Sequence, residues 1–322
     1  MLSSVTLCIL HFLYLFYVAT STNVNSELYW VSNNAGLYSH FLQLKILFER
    51  SREVERSLVI VPSTSPHYHS AIMNMCDIFQ LPNQIRCAEL PSNVSCTDSF
   101  DKIKRKRGTD VCYSGSITFG KPGKGRPYVI RAVDFPLVLQ FSDIFTLMAN
   151  KFKTAFIHRA DIVHNPTAFT VVHWRRGDQL QGRCNNRMDA SVNCGDAFDL
   201  MKKVREVSNN SVVYVATNEP QDSIEMERLR DAGFISFADV AGPSSSDIAL
   251  QHLTVFEVLV AETVLMLSAQ TFLGWGISEV NDVVEHARMQ AGLSYCQAQE
   301  PPERTDQETW CSLRSSSLPR HR

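Results

Sequence analysis

From Thr167 to Gly292 the chain alternates short runs of β-branched and aromatic residues with helix-length amphipathic segments, and no other feature restricts its fold as sharply. "AFTVVHW", "SVVYVATN", "FISFADV" and "TFLGW" read as strands, while "DAFDLMKKVREVS", "DSIEMERLRDAG", "HLTVFEVLVAETVLMLSA" and "SEVNDVVEHARMQAG" read as helices. Strands joined by whole helices run parallel, because the crossover must return the chain to the edge from which it left. An earlier unit of the same kind comprises the strand "LYWVS", the loop "NNAGLYS", the helix "HFLQLKILFERSREVE" and the strand "SLVIVP". Between the two, residues 87–125 hold three cysteines, the basic run "KIKRKRG" and the turn cluster "GKPGKGRP"; they read as insertion and loop, the basic run as a solvated face. The expectation is an α/β protein of two Rossmann-like lobes joined near "RADIVHNP", with a cleft between them. Its parts are residues 23–165, residues 166–295 and a polar tail, 296–322.

A chain of 322 residues that is 44% hydrophobic can bury a substantial core. Its 31 basic and 33 acidic side chains nearly cancel, so no global field attracts nucleic acid, and anion binding must be local. Residues 5–20, "VTLCILHFLYLFYVAT", are short for a membrane span and are followed by small polar residues, as in a signal peptide (1–22) cut near Ala19 to Thr22. An uncleaved signal anchor is the alternative, and only then is membrane contact expected. Eight cysteines follow this segment without a C-x-x-C pair, which favours disulfides over zinc; Cys184 with Cys194 and Cys296 with Cys311 are the local pairings. Sequons at Asn93 and Asn209 fit the same secretory route, which places the chain in the endoplasmic reticulum, the Golgi or outside the cell.

Parallel sheets bind ligands beyond the carboxyl ends of their strands, which selects the loops 33–39, 173–179 and 274–278. The second carries "TVVHWRRGD". Two guanidinium groups and an imidazole at a strand end could hold a diphosphate by charge-assisted hydrogen bonds, with Asp178 orienting an arginine. A surface salt-bridge cluster without function fits the same residues. Arg176-Gly177-Asp178 is also an adhesion-type RGD tripeptide, although it abuts a buried strand. Trp174 reads as core, and Trp275 as either core or a sugar platform. The chain has no D-x-D triplet, no G-x-x-x-x-G-K-[ST] and no G-x-S-x-G, which argues against metal-dependent glycosyltransferases, P-loop nucleotidases and the common hydrolases.

"VVHWRRGD" resembles the H-x-R-R-x-D segment of the α1,2-, α1,6- and protein O-fucosyltransferase superfamily. "NNAGLYSHFLQLKILFERSREVERSLVIVP" is similar to that family's first donor loop, helix and strand, "VYVATNEP" to a later strand and acidic turn, and "TFLGWGISEVNDVVEHAR" to its closing segment. The resemblance implies a GT-B-like fold and inverting, metal-independent transfer of fucose from GDP-fucose, with no cofactor. The acceptor implied is a protein Ser/Thr hydroxyl or a glycan, small cysteine-rich domains among the candidates, and the location implied is the lumen of the endoplasmic reticulum or Golgi. Carried over by position, Arg175 would stabilise the departing GDP, and His173 would lie toward the nucleoside. Arg176 and Asp178 would support the loop. Asn34, Ala35 and Gly36 would line the diphosphate, Ser278 would donate to a phosphate, and Asp239 would read guanine or be an ordinary acidic loop residue. Two departures are plain: Asn218 stands where the family often has aspartate, and the first loop lacks an acidic residue to act as base. A catalytically inactive nucleotide-sugar- or glycan-binding homologue is therefore the second reading.

Overall fold

The computed structural model describes residues 26–31, 36–64, 72–106, 109–114, 139–176, 195–210, 212–242, 247–275, 278–297 and 310–312. The signal segment, Asn34, Ala35, Asp178, Cys184 and Cys194 lie outside the described residues.

In chain order the first lobe comprises β1 (Glu27–Val31), α1 (Leu37–Glu53), β2 (Ser57–Val61), β3 (Ser63–Thr64), β4 (Ile72–Met73), α2 (Met75–Ile78), β5 (Ile85–Cys87), β6 (Cys96–Thr97), α3 (Phe100–Arg105) and β7 (Val111–Tyr113). Five of these strands form a parallel sheet in the order β5-β2-β1-β7-β6, and β3 pairs with β4. Part of the stretch read as insertion and loop is therefore sheet. β6 and β7 are two and three residues long, too short to show periodicity, and a Cys96–Cys112 disulfide joins residues in direct register across them. A second disulfide, Cys76–Cys87, ties α2 to β5.

The second lobe comprises α4 (Asp143–Arg159), β8 (Thr170–Trp174), α5 (Ala197–Val207), β9 (Val213–Thr217), α6 (Ile224–Asp231), β10 (Ile235–Ser236), α7 (Phe237–Ala241), α8 (Ile248–Gln251), α9 (Val255–Ser268), β11 (Thr271–Trp275), α10 (Glu279–Gln290), β12 (Tyr295–Gln297) and β13 (Trp310–Ser312). Its sheet runs β10-β9-β8-β11-β12-β13, parallel except for β13. Cys296 is disulfide-bonded and stands opposite Cys311 in the β12–β13 register. Although α4 precedes the expected boundary at 165, its Phe152 and Phe156 meet Tyr214 edge-on and Phe152 stacks on Phe237, so it belongs to the second core. "FISFADV" is not a continuous strand. Ser236 donates to Asp239 Oδ2 through both its backbone N–H (2.7 Å) and its hydroxyl (2.6 Å), and this capping box starts α7 after only two strand residues.

The two lobes share apolar core. α1 is buried on nearly all sides, because one flank covers the first sheet and the other meets α9 and α10 of the second lobe. Tyr38 donates to the Leu259 carbonyl (3.2 Å) and contacts the Thr263 hydroxyl. Burial lowers the Lys45 ammonium to about 8, and burial together with Lys45 lowers His286 on α10 to about 4.

Candidate active site

The second sheet reverses its winding between β8 and β11. From β8 the chain steps outward to β9 and β10, while from β11 it steps the other way to β12. Loops leaving two such neighbours diverge at their carboxyl ends and leave a crevice there. His173, Trp174 and Arg175 come from one wall of that crevice, and Gly274, Trp275 and the start of α10 from the other.

Strand alternation then sorts the motif. Val171 and His173 lie on the sheet face toward α9, whereas Val172 and Trp174 face a separate core formed with α5 and α6. The two arginines continue this alternation. Arg175 returns to the His173 side, where its Nη1 is 3.6 Å from Glu279 Oε2 in the first turn of α10, with 34% of the side chain exposed. Arg176 continues on the Trp174 side. Its guanidinium lies over the Trp174 ring (5.0 Å), between Glu219 (3.9 Å) and Glu225 (3.5 Å), and only 12% is exposed. The paired clamp expected from the sequence is thus divided: one arginine reaches the crevice and its neighbour is drawn into the lobe. The same burial removes the Arg176 side chain from display, as an RGD ligand would require.

His173 Nδ1 donates to Asn281 Oδ1 (2.7 Å), which joins β8 to the first turn of α10. Space for Asn281 comes from β11. A Cβ on Gly274 would lie 2.9 Å from Asn281 Cγ, so the absence of a side chain at 274 lets the amide reach the histidine. Gly274→Ala must displace the buried Asn281 and break its bond to His173. The expected cost is about 1–3 kcal/mol, measurable as a lowered urea midpoint. Ser278 caps α10, its hydroxyl accepting from Val280 N–H (3.3 Å), and is 4% exposed. Asp282, one turn further on, is solvent-accessible yet closely surrounded by protein; desolvation, followed by the charge of Glu279, raises its carboxyl to about 6.

The other expected residues are placed as follows. Gly36 is the N-cap of α1 with φ −72°, an extended conformation open to any residue, so no special backbone angle requires glycine there. The amino end of α1 has no capping side chain at Gly36 and no acidic residue in its first turn. Asp239 is occupied by its capping box and lies 3.5 Å from Arg230 Nε. Trp275 is 1% exposed in the core with Trp174, not a platform. Sequence reasoning missed Asn281, Glu279, Glu219 and Glu225. For the first two, their position one turn into a helix that follows a site strand was the available signal. Among the described residues no three His, Cys, Asp or Glu side chains are grouped to hold a metal ion, and no helix is long and apolar enough to cross a membrane.

No protein-family model and no curated protein matches the sequence. Solved structures do match. A ligand-free crystal form of POFUT1 superposes with a TM-score of 0.52 at 14% identity, covering 86% of this chain and 98% of that one. POFUT1 in complex with GDP gives 0.50 at 14% identity, with coverages of 84% and 97%. Fucosyltransferase NodZ from Bradyrhizobium gives 0.47 at 10% identity, with coverages of 84% and 96%. The fold is GT-B-like, as in POFUT1. In the GT-B arrangement each lobe is a parallel sheet wrapped by helices, as observed here in the five- and six-stranded sheets.

Proposed function

We propose that this protein transfers fucose from GDP-fucose to a hydroxyl group, with inversion at the anomeric carbon and without a metal, and that a protein Ser or Thr is the acceptor. The observation that carries this reading is the position of Arg175. It is a partly exposed guanidinium at the switch point of a parallel sheet, beside the first turn of a helix, within a fold shared with POFUT1, which is seen in complex with GDP. In the proposed reaction the acceptor oxygen bonds to the anomeric carbon as the bond to the β-phosphate oxygen breaks; GDP departs with the electron pair, and the hydroxyl proton passes to water. Arg175 meets the charge that develops on that diphosphate, the role a divalent ion has elsewhere. Ser278 and the amino end of α10 supply further donors. Residence in the endoplasmic reticulum or Golgi lumen belongs to the same proposal, supported by the disulfides and by the exposure of both sequon asparagines, Asn93 and Asn209.

The test is calorimetric titration with GDP in chelator, followed by assay of GDP release from GDP-fucose with folded cysteine-rich domains and free glycans as acceptors. Binding with release that depends on a protein acceptor supports the full reading. Binding without turnover identifies an inactive homologue, and absence of binding rejects both.

Glu279 refines the expectation. Its carboxylate lies 3.6 Å from Arg175 Nη1, so in the proposed complex it competes with the diphosphate for that guanidinium. An exposed ion pair is worth about 0.2–1 kcal/mol, so Glu279→Gln is expected to tighten GDP binding by at most about fivefold in the same titration.

A further inference from the structure

The residues that surround Arg175, rather than Arg175 itself, carry the strongest additional observation. Three consecutive residues at the end of β9 each grip a different part of the loop. Thr217 donates its hydroxyl to the Trp174 carbonyl (2.6 Å), Asn218 Oδ1 accepts the Arg176 backbone N–H (3.0 Å), and Glu219 faces the Arg176 guanidinium. Thr217 Oγ1 also accepts the Glu219 N–H (3.1 Å), which makes the clamp one unit. From the other side Glu225 on α6 faces Arg176 while accepting the Ala197 N–H (2.8 Å) and a bond from Arg228 (3.2 Å), so it ties the starts of α5 and α6 to the same guanidinium.

We propose that Glu225 and Glu219 are positioning residues: acting through Arg176, they fix the backbone that follows Arg175, while Thr217 fixes the backbone before it, and so hold its guanidinium at the place where charge develops on the leaving diphosphate. This rests on the transfer reaction proposed above. Stability alone gives a poor account of the cluster. The side chains of Arg176, Glu219 and Glu225 are only 12%, 6% and 11% exposed, and Arg176 Nε and Nη1 and Glu219 Oε2 are buried without a hydrogen bond. Burying charges in this way costs more than packing apolar side chains of similar volume. What the arrangement provides is direction. The divergence of two adjacent arginines leaves one as a strut for the other, and Asn218, which stands where the resembled family often has aspartate, serves here as a neutral acceptor for the loop backbone.

Glu225→Gln retains the shape of the side chain and an oxygen for the Ala197 N–H but removes the ion pair. We expect a folded variant whose kcat falls roughly 10- to 100-fold while the donor KM changes less than about threefold, because misplacement acts on the transition state. Glu219→Gln carries the same expectation and serves if the first variant does not fold; Glu225→Asp should recover part of the loss. A readout independent of turnover is the arginine Nε–H NMR spectrum of the ligand-free protein, with the Arg175 signal assigned by its absence in Arg175→Lys. The Arg175 signal should shift or broaden in Glu225→Gln, in Glu219→Gln and in Arg176→Lys. An unchanged Arg175 signal in these folded variants, or a loss confined to KM, overturns the proposal. If the wild-type protein neither binds GDP nor releases it from GDP-fucose, the functional reading fails by itself, and the spectra still decide whether the brace positions Arg175.

Discussion

Arg175→Ala is expected to lower turnover of GDP-fucose by about 10²–10³-fold, the usual consequence of deleting a single preorganised group that meets charge in the transition state. The guanidinium is held at the carboxyl edge of β8 by a backbone already fixed in two places, so it need not reorganise as the bond breaks. The exposed Glu279 carboxylate, 3.6 Å away, is a weak competitor for a diphosphate. GDP also gains its charge in the product, so part of the effect appears as weaker GDP binding, roughly 10- to 100-fold for one charge-assisted contact. Arg175→Lys retains the charge but loses the planar fork and should recover only a fraction of either quantity. Turnover within a factor of two of wild type in a folded Arg175→Ala protein, read by release of GDP, would contradict the assignment.

The largest expected effect on stability is at Arg288. This side chain is fully buried in α10, with no carboxylate among its described hydrogen-bond partners, and all of those partners are backbone carbonyls. Nη1 donates to Met266 (2.6 Å) and Ala269 (3.0 Å), Nη2 to Gln270 (3.3 Å) and Nε to Ser294 (2.7 Å). Met266, Ala269 and Gln270 form the carboxyl end of α9 and the turn into β11, where the helix dipole is negative and the last carbonyls lack helical partners. Burial lowers the guanidinium to about 10, which still leaves it charged at neutral pH. Arg288→Met conserves much of the volume but abandons these acceptors, at an expected cost of about 3–5 kcal/mol in urea unfolding. The loss reaches the site as well. Arg288 anchors the far end of the helix whose first turn holds Ser278, Glu279 and Asn281, so surviving folded protein should bind GDP less tightly. A midpoint within experimental error of wild type would show that solvent replaces the guanidinium at no cost.

How much of the site was legible follows from which interactions are local. The strand ending in "VVHW" is read from β-branched and aromatic residues, and its burial on both faces is recorded in its continuous apolarity. That Ser278 begins a helix is likewise local, since a serine before an amphipathic segment satisfies the first N–H groups. The partner of His173 was not legible. Asn281 is 108 positions away and reaches it only because β8 and β11 are neighbours and Gly274 has no side chain. Asp239 shows the converse: an acidic residue after a strand looks like a ligand group, and in the structure its carboxylate is engaged in a local, three-residue capping box. The small strands β6 and β7 escaped notice because elements of two and three residues carry no period and depend on neighbouring strands and a disulfide for their existence.

What the sequence by itself determined was the repeating strand–helix alternation, and with it a fold of parallel sheets, because periodicity and crossover length are properties of contiguous residues. The tertiary structure alone decided which of two adjacent arginines faces the crevice. That choice depends on where β8 ends in its alternation and on which carboxylates, from the turn after β9 and from α6 and α10, stand on each face of the sheet. Positions far apart in the chain set that field, and no local pattern encodes their meeting.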